Sequence, residues 1–349
     1  MRLERRTSVK WTLGAGAALA AVMTALAFAA GLILAAGVNP LVAYLEMLRG
    51  ALGSRLAITE MLTRAVPLML TGLAAAVAFR ARLWNIGAEG QFYLGALAVA
   101  WAGHSLMSSL PSAIGIAALM VVGMAAGALL LSGPAYLRLR FNVDEVVTTL
   151  LMNFVVILFV GLMIEGPMRD PLAFGWPQSV PVDRNFRLPD LVQGTRLHAG
   201  FLIALAMAGI VWLIIARTVF GTEARAAGFN ARAAEFAGVS LPRTIMGVAL
   251  LSGGLAGLAG GIEVAGVTGG VTTTMSPGFG YAGIVVAMLA ALHPAGVVAA
   301  SVFVATVFVG ADAMSRATGV PSFIADVIVA LALLTMLVAL LFSSYRIRR

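Results

Sequence analysis

The sequence predicts an all-α, polytopic membrane protein with about ten transmembrane helices, some broken or re-entrant. Three observations carry that expectation. Of 349 residues, 61% are hydrophobic and 11% charged, against about a quarter charged in a soluble domain. So few charges cannot clothe a water-facing surface. The arginines stand singly or in short groups between apolar runs, as membrane-flanking charges do. Those runs mostly approach the roughly 20 residues that cross a bilayer. The net charge of +8 therefore marks membrane boundaries, and a nucleic-acid partner is not expected.

Residues 1–10 form a basic cytoplasmic N-terminus before a first span at 11–37. That apolar run is nearly twice the length of a signal-peptide core, which favours a retained span. Residues 38–56 carry apolar positions at helical spacing, suited to a short amphipathic helix on the outer surface. Spans follow at 57–79, 86–103, 112–136 and 144–165. Residues 166–197, rich in Pro, Gly and alternating charge, read as an irregular outer loop, either a plain connection or a docking surface. A span at 198–216 leads to a cytoplasmic coupling loop, 217–243, and to spans at 244–265, 278–292, 294–311 and 322–342. The segment 278–311 reads equally as two short spans or as a re-entrant element. This arrangement makes 1–349 one transmembrane domain. It places 15 Lys and Arg inside and seven outside, with both termini cytoplasmic.

Counting excludes several chemistries. There is no cysteine, and Lys10 is the only lysine. A Gly-rich loop ending in Gly-Lys-Ser/Thr is impossible, so ATP hydrolysis by that route must come from another chain. His104, His198 and His293 lack metal-ligand spacing. No nucleophile and base can be paired, so neither an enzymatic activity nor a bound cofactor or metal is expected.

Four polar clusters remain. In the run Asn85-Ile86-Gly87-Ala88-Glu89-Gly90-Gln91, three polar side chains at a membrane boundary need partners. Asn85, Glu89 and Gln91 either line a path or form a wet turn with Glu89 paired to Arg80 or Arg82. Thr149 and Asn153 share one face of their span, where an amide either bridges helices or meets a ligand. Asp144 and Glu145 suit the first turn of that helix. The inner loop reads as two short helices broken at Gly228-Phe229-Asn230 and stopped near Gly238 and Pro242. Its small residues would seat in a partner's groove with Phe229 or Phe236 as anchor. Finally, 269–283 is a Gly/Thr-rich break leading into a small-residue helix, the layout of transporter sites. Among other charges, Glu60 and Arg64 are placed to pair with each other. Glu165 and Glu263 lie near outer ends, within reach of water, and Asp326 invites a buried partner.

These runs, with Glu145…Thr148-Thr149-Leu150-Leu151-Met152-Asn153, Ser276-Pro277-Gly278-Phe279-Gly280-Tyr281 and Pro294-Ala295-Gly296, resemble an ABC-transporter inner-membrane permease. The family is that of branched-chain amino acids and simple sugars, in its nucleoside-type branch served by a Bmp-type lipoprotein. The resemblance implies a bacterial inner-membrane importer subunit for small polar solutes, nucleosides first and simple sugars as the alternative. It implies an ABC ATPase subunit holding ATP and Mg, a second permease subunit, often a different chain, and a periplasmic or lipoprotein receptor. It makes Asn85, Glu89, Gln91, Thr149 and Asn153 path residues, with Phe92, Tyr93 or Phe154 available for stacking. It makes Arg225, Gly228, Phe229, Asn230, Ala233, Ala234 and Gly238 the ATPase contact. Arg225 stands where the Glu-Ala-Ala…Gly coupling signature of other importer permeases has its second Ala, and Gly228 comes one residue early. An ion-coupled secondary transporter would instead need a deep carboxylate, for which Asp326 is the one tempting residue.

Overall fold

The computed structural model describes residues 2–5, 11–105 and 110–348. Helices stand at all ten predicted stretches: α1 Trp11–Ala35, α3 Arg55–Arg80, α4 Ala88–Ser105, α5 Ser112–Phe141, α6 Glu145–Glu165, α7 Gly200–Arg217, α10 Leu241–Glu263, α11 Phe279–Leu289, α12 Pro294–Thr318 and α13 Ile324–Ser344. Between them lie α2 (Pro40–Leu52), α8 (Val219–Phe229) and α9 (Ala231–Phe236). Not all ten have the dimensions of a crossing. Six are long and apolar enough to span a bilayer, and α1 with α2, bent by 115°, makes a seventh if read as one broken span. α4 begins on Glu89 and Gln91, while α11 has only 11 residues, about 16 Å at 1.5 Å per residue. The only strands among the described residues are Arg2–Arg5 and Tyr345–Arg348, paired antiparallel, so the two chain ends lie together.

Local chemistry sets the breaks. Asn39 accepts a hydrogen bond from the Leu41 amide at 2.9 Å and Pro40 opens α2, the usual cap and first-turn pairing. Asp144 caps α6 through the Val146 amide at 2.8 Å. Asn230 both ends α8 and caps α9, accepting from the Ala233 amide at 3.1 Å. The two-helix elbow is therefore as the sequence predicts. Pro242 acts differently from the expectation: it sits in the first turn of α10 and starts that helix, its missing amide proton costing nothing there.

α10 is the central helix, packed on α5, α4 and α3. The contacts are backbone to backbone. A β-carbon at Gly257 would strike Gly123 and Gly127 of α5, and one at Gly260 would strike the Phe92 carbonyl of α4. Small residues allow this approach, and dispersion over the close surfaces supplies the attraction that hydrophobicity cannot supply inside lipid. Outward-facing Leu158, Leu162 and Val155 of α6 are exposed, the surface that acyl chains would cover.

The 166–199 segment is irregular but docked. The Ser179 amide donates to the Val271 carbonyl at 2.9 Å, Val182 to Gly269 at 2.8 Å and Leu188 to Ala265 at 2.9 Å. Phe186 is buried against Gly115 of α5. His198 is buried beside Gly200 and Gly266, its Nδ1 accepting from the Gly200 amide at 3.1 Å. Burial pushes its pKa down to about 4, with Asp190 opposing and Arg196 assisting. A neutral His198 thus contributes stability that is full above the unfolded value of about 6.5. That contribution declines as pH falls below 6.5 and is gone by about 4. Hydrogen exchange of residues 186–200, corrected for intrinsic rate, should show loosening from pH 7 to pH 5 that His198→Gln removes. Equal protection at both pH values would contradict this.

Candidate functional site

The Asn85–Gln91 turn is the centre of a buried polar knot. Asn85 and Gln91 bond reciprocally through their amides, at 2.9 and 2.8 Å. Asn85 Nδ2 also donates to Ser252 Oγ of α10 at 3.0 Å, and Ser252 donates to the Ala74 carbonyl of α3 at 2.8 Å. Thr149 Oγ1 accepts from the Ile86 amide at 3.3 Å. Asn153 Oδ1 accepts from the Gly90 amide at 2.8 Å, while its Nδ2 donates to the Ile86 carbonyl at 2.9 Å and to Tyr281 Oη at 3.1 Å. All five predicted polar residues meet here, and all are buried. Their partners are protein groups from α3, α6, α10 and α11, so in this state the knot ties four helices together.

Of the two readings open to Glu89, the pairing with Arg80 or Arg82 is not the one found. Its Oε2 accepts the Gly280 amide at 2.7 Å, placing a carboxylate on the positive end of α11. The Arg82 side chain is exposed, and Arg80 is engaged elsewhere. Arg80 grips the Leu292 carbonyl through Nε and Nη2 at 3.1 and 2.7 Å. It is Arg138 that pairs with a carboxylate, Glu145, at 2.7 Å. Phe92 is fully buried and Tyr93 nearly so, which removes both as stacking surfaces in this state. Phe92 packs 6.0 Å from Phe279 between ring centroids. Tyr93 Oη donates to the Thr273 carbonyl at 2.7 Å.

The 269–278 break lies above this knot. It runs from Gly269 to Gly278, both at positive φ, after a π-turn at Val264–Thr268. Beside it opens a cleft of about 350 Å³ lined by Glu60, Arg64, Arg196, Glu263, Asp312 and Phe279. Met275 and Pro277 form its apolar wall. Arg64 bridges Glu60 at 3.4 Å and Asp312 at 2.8 Å, and Arg196 lies 3.6 Å from Glu60. Glu263 is only 8% exposed and lines the cleft, so the water it reaches is the water of the cleft. Asp326, by contrast, is exposed and has no buried partner among the described residues.

The elbow sits at the other end. Gly228 is seated on the Arg80 carbonyl, where a β-carbon would collide, and Ala234 is buried. Arg225 is half-buried, and Asn230, Ala233 and Gly238 are exposed. Phe229 and Phe236 present rings that are 79% and 97% exposed. The chain of contact is short: elbow, Arg80, then the Leu292 carbonyl in the α11–α12 turn. In that turn Ala291 and Leu292 are consecutive non-glycine residues at φ of 48° and 61°.

The model of the family described as "branched-chain amino acid transport system / permease component" matches residues 57–342. This chain belongs to that family. The permease is 34% identical to the glucose ABC transporter permease protein TsgB13 of Haloferax volcanii, across 99% of this chain and 93% of the relative. It is 34% identical to the guanosine ABC transporter permease protein NupP of Bacillus subtilis, across 95% and 93%. The nucleoside ABC transporter permease protein NupB of Lactococcus lactis is 30% identical, across 89% and 87%. No solved structure matches the chain. The permease is a multi-pass membrane component of a transport system, and its relatives are transport subunits rather than enzymes.

Proposed function

We propose that this permease forms half of the membrane domain of an ATP-driven importer that carries nucleosides across the bacterial inner membrane. A separate ABC ATPase holds ATP and Mg, and a periplasmic or lipoprotein receptor delivers the solute. A second permease subunit, a different chain, completes the pathway. The 217–243 elbow and both termini face the cytoplasm, and 166–199 faces outward. The whole of 1–349 acts as one transmembrane unit.

One observation carries the reading: the seat of Gly228 on the Arg80 carbonyl, which joins an exposed two-phenylalanine elbow to the turn beneath α11. A push on the elbow acts on Arg80 and the Asn85–Gln91 turn that follows it. Asn85, Glu89, Gln91, Thr149 and Asn153 are then gate residues whose bonds are closed here and exchanged during passage. Guanosine and nucleoside relatives favour a nucleoside. The glucose relative supports a simple sugar as the second reading.

Receptor-dependent uptake of labelled guanosine, uridine and glucose by the reconstituted complex tests this. Wild type should accumulate nucleosides only with ATP, receptor and both permeases present. Uptake driven by an ion gradient without ATP would overturn the reading. Asn85→Ala and Asn153→Ala each strand buried partners at about 1–3 kcal/mol, so each should lower uptake at least fivefold. Normal uptake by both would remove the knot from the gate.

A further inference from the structure

Resting on the importer reading, we propose that the Glu60/Arg64/Arg196/Glu263/Asp312 cleft is the outward docking site for the solute. It takes an uncharged polyhydroxylated molecule bearing a flat ring, and it refuses the phosphorylated form of that molecule.

Glu263 carries the assignment. Its side chain is more than nine-tenths buried and lines the cleft. Among the described residues, its carboxylate has no ion pair within 4 Å and no hydrogen-bond donor. Among the described residues Ser301 Oγ is the one sealed side-chain atom without a partner, so the Glu263 oxygens are not shut off from solvent and open onto the cleft. Partial burial weakens their hydration, and a ligand hydroxyl pair donating to both oxygens would replace what water supplies there. The two arginines cannot take that role, because Glu60 and Asp312 already hold them.

Size and charge define the guest. About 350 Å³ falls in the range of small-molecule sites. Met275, Pro277 and Phe279 give the cleft an apolar share, of which Pro277 is exposed and offers a flat ring its contact. Both guanidiniums are already paired with Glu60 and Asp312, so among the described residues the cleft offers no free cation to a phosphate, which carries nearly two negative charges. The location suits docking. The π-turn after Glu263 is a geometry often found at functional sites. The cleft wall, Phe279, belongs to the helix whose N-terminus Glu89 holds.

The absence of cysteine makes the test direct. In the reconstituted complex, Thr268→Cys, on the rim of the cleft, is expected to react with a membrane-impermeant thiol reagent added outside. Saturating guanosine should slow that labelling at least tenfold, and guanosine 5′-monophosphate should not. Glu263→Gln should lower kcat/KM for guanosine uptake at least tenfold while raising the thermal midpoint of the purified permease. A merely structural glutamate would lower both. Glu165→Gln, exposed at the same face, should transport as wild type. Guanosine uptake by wild type with no protection at Thr268→Cys overturns the cleft alone, as does equal protection by the phosphate. Protection by glucose only overturns both the flat-ring assignment and the nucleoside reading.

Discussion

Gly257→Ala combined with Gly260→Ala is expected to abolish stable folding of the permease core. Each added β-carbon meets backbone, Gly123 and Gly127 on one side and the Phe92 carbonyl on the other. Backbone cannot rotate aside as a side chain can, so α10 must separate from α4 and α5 along its length. Overpacking of this kind costs on the order of 3 kcal/mol per site. The loss also uncouples Ser252 of α10 from Asn85, opening the polar knot. The thermal midpoint in detergent should fall by 10 °C or more, or the protein should fail to accumulate in membranes. Gly133→Ala supplies the control, because its β-carbon would meet nothing within 4 Å and alanine favours helix. A double variant as stable as wild type would mean that α10 does not pack as described.

Phe229→Ser with Phe236→Ser is expected to disconnect transport from ATP. Both rings stand in solvent, so removing them leaves the permease's own stability unchanged. On the proposed reading this exposed aromatic pair is the ATPase anchor, and such anchors contribute about 2 kcal/mol or more each. The double variant should retain less than a tenth of solute-stimulated ATP hydrolysis and of uptake. Its thermal midpoint should match wild type. Normal coupling with both rings gone would place the ATPase contact elsewhere on the chain.

How much of this was legible beforehand depended on sequence distance. The elbow was readable because Ala-rich propensity, a Gly-Phe-Asn break and Asn230 as a cap are local signals. The knot was half readable: Thr149 and Asn153 share a face by helical period, and Asn85 to Gln91 crowd one turn. What they bond could not be seen, because Ser252 and Gly280 arrive from distant helices. For Glu89 the sequence offered only a path-lining role or an arginine nearby in sequence, and its partner is a helix N-terminus 191 residues away. The outward cleft was missed altogether. Its charges come from α3, α10, α12 and the 166–199 segment, and no pattern in one sequence links positions 60, 196, 263 and 312. The available signal was the rule that ionisable groups inside a membrane are seldom idle, which singles out Glu263 more than Asp326. The sequence reads about ten crossings, and among the described residues six helices, or seven with the bent pair, have the length and composition of one. Apolar composition marks burial of either kind, and α4 and α11 are buried largely in protein.

The α11–α12 turn gives the molecule a direction. Two consecutive side-chain-bearing residues in left-handed conformation, Ala291 and Leu292, carry roughly 1–3 kcal/mol of strain each. The turn's own bonds hold them, Leu292 N–H to the Ala287 carbonyl at 2.8 Å and His293 N–H to the Ala290 carbonyl at 2.9 Å, and Arg80 adds two more from α3. On the proposed reading, a shift of Arg80 would loosen a turn that already stores strain, and movement of the elbow would reach α11 through it.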